Sequence, residues 1–244
     1  MPEGPSIVIL KDAVQPFVGE LILEAESSVT EIDVAALCGK NVTAFKSWGK
    51  HFLICLPDFT IRIHLMLFGS YIINSRKISP ARLSLRFRNG EINFYACSVS
   101  RIDEPLDKIY DWSEDIMNSA WDHKKAIDKL KQHPQMMVCD ALLDQHIFSG
   151  SGNIIKNEVL FRTAIHPESV LGKIPSRKLE KLVKETVHYS QQFYEWRKAF
   201  VLKQHFLVYG KRTCPGDNTP IIRQKLGKTR RQSFYCPAFQ KLYN

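Results

Sequence analysis

Residues 148–161, FSGSGNIIKNEVLF, decide how the second half of this chain folds. Gly150 and Gly152 release the backbone from side-chain restraint, and the apolar residues after them favour a helix. Asn153 is expected at or beside the N-cap of that helix, where backbone amides and the helix dipole favour a bound anion. An isolated Gly-x-Gly is more often an ordinary turn, so this signal alone is weak.

Helical patterns lie on both sides of this stretch. Apolar residues recur at helical spacing in residues 122–131 and 135–143, and a long amphipathic pattern covers residues 177–200. We therefore predict a helical domain over residues 119–205.

The two halves of the chain differ in charge. Residues 1–118 carry 12 Lys and Arg against 15 Asp and Glu, whereas residues 119–244 carry 22 against 10. A basic half of this kind indicates a polyanionic partner, which could be DNA, RNA or an acidic membrane surface. No apolar run approaches the ~20 residues of a membrane span, so we expect no membrane association.

β-Branched and aromatic residues in short runs dominate residues 21–103. Asn89-Gly90 between residues 83–87 and 92–95 predicts a hairpin with a type I′ turn. Residues 6–17 have apolar side chains at the spacing of an amphipathic helix. We predict an α+β protein in which residues 1–103 form a β-sandwich with one packed helix.

The chain begins Met1-Pro2-Glu3, and we expect Met1 to be removed because a small residue follows it. Pro2 would then carry a free secondary amine. An α-amino group has a pKa near ~7.7–8, so part of it is unprotonated and nucleophilic at neutral pH. Glu3 lies beside it as an acid. By itself, such a terminus is more often simply solvated.

The motifs together resemble the formamidopyrimidine-DNA glycosylase and endonuclease VIII family nearly from end to end. The carriers are Pro2-Glu3, WGKHFL with Lys50, HLMLFG at 64–69, residues 150–161 followed by IHP at 165–167, and RQSFYCP at 231–237. The resemblance implies an N-terminal β-sandwich, a helix-two-turns-helix domain over residues 119–205 and a β-hairpin finger over residues 206–244. Residues 104–118 would connect the two halves.

The resemblance also implies a mechanism on damaged DNA. The damaged nucleotide is flipped out of the duplex, since its C1′ cannot be attacked within the stack. The Pro2 amine then attacks C1′ while Glu3 protonates the sugar ring oxygen. The resulting Schiff base makes neighbouring protons acidic enough for β- and δ-elimination.

Further site residues follow from the same resemblance. Lys50, which joins Pro2 and Glu3 in the catalytic set, would hold phosphates around the lesion together with Asn153 and Arg231. Lys156 would add local positive charge to the DNA-binding surface. Each of these residues could instead be a solvated residue or a plain helix cap. Those alternatives are favoured when a residue is considered alone, and the phosphate-binding role is favoured when the motifs are considered together.

Met66, Leu67 and Phe68 correspond to residues that fill the space left by the flipped base. An apolar run is more often core, but this one precedes Gly69-Ser70, as at the tip of an exposed loop. Apolar wedges offset part of the unstacking cost of a few kcal/mol.

The sequence departs from the family pattern in two ways. Ser6 stands where a second glutamate is usual. The finger keeps only Cys214 and Cys236 of two Cys-x-x-Cys pairs, and two thiolates with Asp217 make a poor structural zinc site. We therefore predict a finger without zinc and no cofactor. A disulfide fits the spacing, but we expect reduced thiols in a cytoplasmic protein.

The expected partner is double-stranded DNA containing oxidised bases or abasic sites, bound by a monomer in the cytoplasm or at the nucleoid. Residues 196–214 contain no insertion resembling the loop that covers 8-oxoguanine in purine-excising members, so oxidised pyrimidines and hydantoins are the expected substrates. A catalytically silent protein that binds damaged DNA on the same scaffold is the alternative.

Overall fold

Two four-stranded antiparallel sheets form the first part of the chain in this computed structural model, which describes residues 2–30 and 32–244. One sheet has the order β1 (Glu24–Ser27), β6 (Leu83–Phe87), β7 (Gly90–Tyr95) and β5 (Ser70–Ile73). The other has the order β2 (Ala44–Trp48), β3 (His51–Cys55), β4 (Thr60–His64) and β8 (Ser98–Ile102).

The core lies between these sheets. Phe52, Ile54 and Ile63 from one sheet and Leu85 and Phe94 from the other belong to a single buried cluster. Helix α1 (Gly4–Ala13) adds its apolar stripe to the same cluster and packs on β2 and β3. Strand β3 is therefore buried along almost its whole length, which explains its continuous apolar sequence. The predicted sandwich with one packed helix is confirmed.

The hairpin predicted around Asn89-Gly90 is present, with its turn one residue earlier than expected. Phe87 pairs with Gly90, so Arg88 and Asn89 form the two-residue turn and Gly90 begins β7. Gly90 has φ +147°, and a Cβ there would collide with the Asn74 side-chain oxygen. The glycine is needed for that close approach as well as for its backbone conformation.

The chain divides into two compact units at residues 111 and 112, inside the predicted connection 104–118. That connection contains the short helix α2 (Leu106–Ile109). The helical segment and the finger belong to the same unit, residues 112–244. Its elements are α3 (His123–Gln132), α4 (Val138–Ala141), α5 (Asn153–Arg162), α6 (Ser176–Lys198), β9 (Ile222–Leu226) and β10 (Arg231–Tyr235).

Helix α4 is shorter than the predicted helix at 135–143. The carbonyls of Pro134 and Met136 accept hydrogen bonds from Gly172 (2.8 Å) and Leu171 (3.0 Å), so they are not used in a helix. This tertiary pairing overrides the local helical pattern. Helix α3, in contrast, starts where the sequence predicts, because the Asp122 carboxylate accepts the Lys125 amide at 3.0 Å as an N-cap.

Helix α5 is buried on nearly all sides between α6 and β10. Its polar residues therefore require partners inside the protein. Within residues 2–30 and 32–244, no helix combines the length and apolar content that a membrane crossing requires.

Candidate active site and nucleic-acid interface

The proposed nucleophile and acid lie at the start of α1. Glu3 is the N-cap residue, and its carbonyl accepts the amides of Ser6 (2.8 Å) and Ile7 (3.3 Å). The Glu3 side chain is fully buried, while Pro2 just before it is half-buried. Met1 lies outside the described residues, and its removal stays a prediction. The residue directly after the proposed nucleophile thus has a fully buried side chain.

Ser6, at the position of the family's usual second glutamate, is buried in the first turn of α1. Its hydroxyl has no hydrogen-bond partner among the residues that the structure describes. Buried polar atoms of this kind often mark the place of a water molecule or ligand. Ser6 therefore leaves a small polar group where the family has a charged one.

Lys50 occupies the tight turn between β2 and β3. Trp48 pairs with His51, so Gly49 and Lys50 alone form the turn, and Gly49 adopts φ +55°. The Trp48 indole donates to the carbonyl of Asp111 at 2.8 Å, which fixes one side of the turn. The backbone therefore holds Lys50 at a defined position at the end of the sheet.

Strand pairing brings His64 to the same end of this sheet as Lys50. His51 pairs with His64, and the two rings meet edge to face at 5.4 Å. Burial lowers the pKa of His64, and the charges of Lys50 and Arg62 lower it further. His64 therefore shares an electrostatic environment with the proposed phosphate ligand Lys50.

His51 and Tyr110 were not singled out from the sequence. The Tyr110 hydroxyl lies 3.1 Å from His51 Nδ1. Burial, the charge of Arg62 and the neighbouring His64 lower the pKa of His51 from 6.5 to about 4. His51 is therefore neutral near pH 7, and its Nδ1 can accept a hydrogen bond from the Tyr110 hydroxyl. Tyr110 lies in the predicted connection, where no sequence pattern marked it.

Residues 66–68 form an exposed loop between β4 and β5. Met66, Leu67 and Phe68 are 53%, 41% and 87% exposed, so the alternative that they belong to the core is excluded. The Gly69 amide closes the loop on the Leu65 carbonyl at 2.7 Å, and a Cβ on Gly69 would collide with that carbonyl. A tightly closed backbone thus presents three consecutive apolar side chains to solvent.

In the second unit, Asn153 begins α5 and Gly152 is its N-cap. The Asn153 side-chain nitrogen donates to the Gln232 carbonyl in β10 at 2.9 Å, so this residue links the helix to the finger. The Ser149 and Ser151 hydroxyls and the Asn153 side-chain oxygen are buried and have no partner among the described residues. The loop before α5 is therefore rich in buried polar atoms with unused hydrogen-bonding capacity.

The prediction that Lys156 contributes charge to the DNA surface is wrong. Its side chain is only 1% exposed, and Nζ donates to the Ser233 hydroxyl at 2.9 Å and the Gln232 carbonyl at 3.3 Å. The cause is the burial of α5 against β10, which turns Lys156 toward the finger. This lysine is a structural link between the two elements.

Arg231 is half-buried at the first position of β10, opposite Leu226. Its neighbour Gln232 is the residue that Asn153 binds. Asn153 and Arg231 therefore lie in one neighbourhood of the second unit, and their role in phosphate binding stays a prediction. Pro2, Glu3, Lys50 and residues 66–68 belong to the first unit.

Glu158 is a further residue that sequence reasoning missed. Its fully buried carboxylate accepts the amides of Leu207 (2.9 Å), Val208 (3.0 Å) and Tyr209 (2.8 Å). Burial raises the pKa of Glu158, although these hydrogen bonds favour the charged form. The carboxylate fixes the segment that enters the finger, and the only sequence signal was an acidic residue inside an apolar helix.

Cys214 and Cys236 form a disulfide, contrary to the expectation of reduced thiols. The finger folds back on itself so that their Cα atoms lie 6.0 Å apart, a usual separation for this bond. Ligand atoms of these cysteines and Asp217 lie within 4.8 Å of one another. Bonded sulfurs are not thiolates, and a closed zinc site requires four ligands, so these residues do not fit zinc.

Two family profiles match most of the chain. The formamidopyrimidine-DNA glycosylase N-terminal domain matches residues 1–97, and the formamidopyrimidine-DNA glycosylase H2TH domain matches residues 113–195. Endonuclease 8-like 3 from Xenopus laevis is 32% identical over 222 residues, which are 86% of this chain and 36% of the relative. Endonuclease 8-like 2 from Homo sapiens is 32% identical over 197 residues, or 74% of this chain and 57% of the relative.

The chain belongs to the formamidopyrimidine-DNA glycosylase and endonuclease VIII family. It spans about a third of the length of the endonuclease 8-like 3 relatives. The fold agrees with that of a viral DNA glycosylase, with a TM-score of 0.84, 22% identity and coverage of 98% of this chain and 100% of the other. It also agrees with a formamidopyrimidine-DNA glycosylase from Lactococcus lactis bound to DNA containing an abasic site, at a TM-score of 0.85, 20% identity and coverage of 98% and 99%.

The lowered pKa of His51 predicts how stability depends on pH. Between pH 6.5 and about 4 the unfolded chain binds a proton at this residue that the folded chain does not. The free energy of unfolding should therefore decrease as the pH falls through this window. His51→Gln, which can still bond Tyr110, should flatten the dependence measured by urea unfolding. His146→Gln, at an exposed site, should keep the parent slope; equal slopes in all three proteins would contradict the assignment.

Proposed function

We propose that this chain is a DNA glycosylase with abasic-site lyase activity, acting as a monomer on double-stranded DNA that contains oxidised bases or abasic sites. The observation that carries the proposal is that Glu3, the residue directly after Pro2, has a fully buried side chain. Family membership supports base removal as the reaction class. The proposal includes a cytoplasmic location, at the nucleoid if the source is bacterial.

The chemistry follows from those two residues. The lone pair of the Pro2 nitrogen forms a bond to C1′, and the bond from C1′ to the base breaks with its electron pair leaving on the base. The Pro2 nitrogen releases its own proton to water, and the departed base takes up a proton from water. Glu3 gives a proton to the ring oxygen as the sugar opens, which leaves an iminium ion at C1′. Loss of the C2′ proton then expels the 3′ phosphate, and loss of the C4′ proton expels the 5′ phosphate.

Phosphate binding is assigned to both units. Lys50 at its fixed turn supplies a cation, and His64 lies at the same end of the sheet. Arg231 supplies a guanidinium fork, and Asn153 binds the carbonyl of the following residue, Gln232. The excess of basic over acidic residues in 119–244 supports binding along a phosphate backbone.

Residues 66–68 are the proposed wedge that fills the space of the flipped nucleotide. Phe68 is the most exposed of the three and would gain most from stacking between bases. Hydrophobic side chains held on a closed loop suit insertion, since little conformational freedom of the backbone is lost.

The substrate preference is proposed to be oxidised pyrimidines and hydantoins. Residues 196–214 form a compact passage, with the 3-10 helix Leu202–His205 and a Trp196 ring stacked on His205 at 4.1 Å. This packing supports the view that the passage has no long loop to cover a purine lesion.

Borohydride trapping on DNA with an abasic site tests the nucleophile. Protein with a Pro2 terminus verified by mass spectrometry should form a covalent adduct, because reduction fixes the iminium ion. Pro2→Gly should lose most of the adduct. Glu3→Gln should lose base excision more than abasic-site cleavage, since an abasic sugar opens its ring without losing a base. Protein that binds the DNA but forms no adduct would instead be a catalytically silent binding protein.

Phe68→Ala tests the wedge. We expect excision of a lesion to fall about tenfold in kcat/KM, since unstacking is less well compensated. The melting temperature should change little, because the side chain is 87% exposed. Phe200→Ala is the matched control, since that ring is 95% exposed on the other unit. Equal activity of both variants would rule out insertion of Phe68.

A side-by-side excision assay tests the substrate preference. Thymine glycol and hydantoin lesions should be released faster than 8-oxoguanine opposite cytosine under single-turnover conditions. Faster release of 8-oxoguanine would reverse the assignment and leave the Pro2 chemistry untouched.

A further inference from the structure

The carboxylate of Asp140 in α4 binds the turn of the finger hairpin. It accepts the Lys228 amide at 2.9 Å, the Thr229 amide at 3.2 Å and the Thr229 hydroxyl at 3.3 Å. These bonds join groups 88 and 89 residues apart in sequence. A charged acceptor of this kind makes stronger hydrogen bonds than a neutral one.

Gly227 makes this close contact possible. Its φ is +68°, and a Cβ at this position would collide with the Asp140 carboxylate. Gly210 has a similar φ of +73° but no atom within 4 Å of an added Cβ. The two glycines therefore separate the effect of backbone strain from the effect of the contact with Asp140.

The contact lies close to the proposed phosphate ligand Arg231. Arg230 adopts a left-handed φ of +50°, and Arg231 follows it as the first residue of β10. A two-stranded hairpin by itself has marginal stability. Farther along β10, α5 holds Gln232 through Asn153. Arg231 thus lies between two anchors, Asp140 on the turn side and Asn153 on the strand side.

We propose that Asp140 is a positioning residue that fixes the finger turn and thereby the Arg231 guanidinium for binding a DNA phosphate. The inference rests on the proposed function, since it gives Arg231 its phosphate.

Charge alone predicts the opposite effect of removing Asp140. The finger carries Arg223, Lys225, Lys228, Arg230 and Arg231 within nine residues. Removing a carboxylate beside these cations raises the positive potential and, through electrostatics alone, strengthens binding to DNA. Loss of positioning weakens binding. The sign of the change therefore separates the two effects.

The experiment measures binding of a duplex with an uncleavable abasic-site analogue by fluorescence anisotropy over a series of salt concentrations. Asp140→Asn should weaken binding about tenfold and reduce the salt slope by about one phosphate contact, as expected for Arg231→Ala. Asp144→Asn is the matched control because the Asp144 carboxylate accepts a local hydrogen bond, from the His146 amide at 2.9 Å. It carries the same charge change and should not weaken binding.

Two further measurements separate positioning from a general loss of structure. The double variant Asp140→Asn/Arg231→Ala should bind no more weakly than Arg231→Ala alone, since both changes remove the same phosphate contact. Hydrogen exchange at the Lys228 and Thr229 amides should accelerate in Asp140→Asn, with the α5 amides unchanged. If Asp140→Asn does not fold, Gly227→Ala tests the same contact from the finger side, with Gly210→Ala as its control.

The outcomes are distinct. Unchanged or tighter binding by Asp140→Asn, or additive losses in the double variant, would overturn the positioning role while Arg231→Ala still supports the proposed function. Full binding by Arg231→Ala would overturn the phosphate contact and the positioning role with it. Equal losses in Gly227→Ala and Gly210→Ala would assign the effect to strain and would also overturn the inference.

Discussion

In the part of the chain that the structure describes, β10 has one neighbouring strand, β9, so the hydrogen-bonding groups on its other edge need partners. Helix α5 supplies them from its side chains. Asn157 accepts the Phe234 amide at 2.8 Å, and Asn153 donates to the Gln232 carbonyl at 2.9 Å. A polar helix face thus takes the place of a third strand. The position of the finger, and therefore of Arg231, depends on this pairing.

Contacts with neighbouring elements also explain how the finger is held although its cysteines do not fit zinc. The disulfide ties the loop before β9 to the segment after β10. Gln240 accepts the Cys236 amide at 2.8 Å and donates to the Ile165 carbonyl at 2.8 Å, which joins that segment to the end of the helical core. A metal would fix only its own ligands, whereas these bonds anchor the finger to the surrounding helices at several points.

The sequence predicted features that depend on near neighbours and missed those that depend on distant ones. Ile7 and Leu10 mark α1 because helical spacing shows its buried face within a few residues. Lys156 looked like a surface cation because nothing near it in sequence shows that Ser233, 77 residues later, binds its ammonium group. The sequence showed that Cys214 and Cys236 could pair, but whether they form a disulfide depends on how the finger folds back on itself. Nothing in the sequence around Asp140 indicated its contacts, since its partners lie 88 and 89 residues later.

The first unit combines a fixed backbone with exposed apolar side chains at one end of its second sheet. Lys50 lies in a two-residue turn pinned through Trp48, and residues 66–68 project from a loop closed by Gly69. Exposure of an apolar side chain to water is unfavourable, and this free-energy cost is relieved when a partner covers the side chain. A rigid backbone keeps the cost of ordering low when that partner arrives. Exposed apolar residues on a closed loop therefore favour association with an apolar surface such as the faces of stacked bases, and the adjacent cation favours a phosphate at the same end of the sheet.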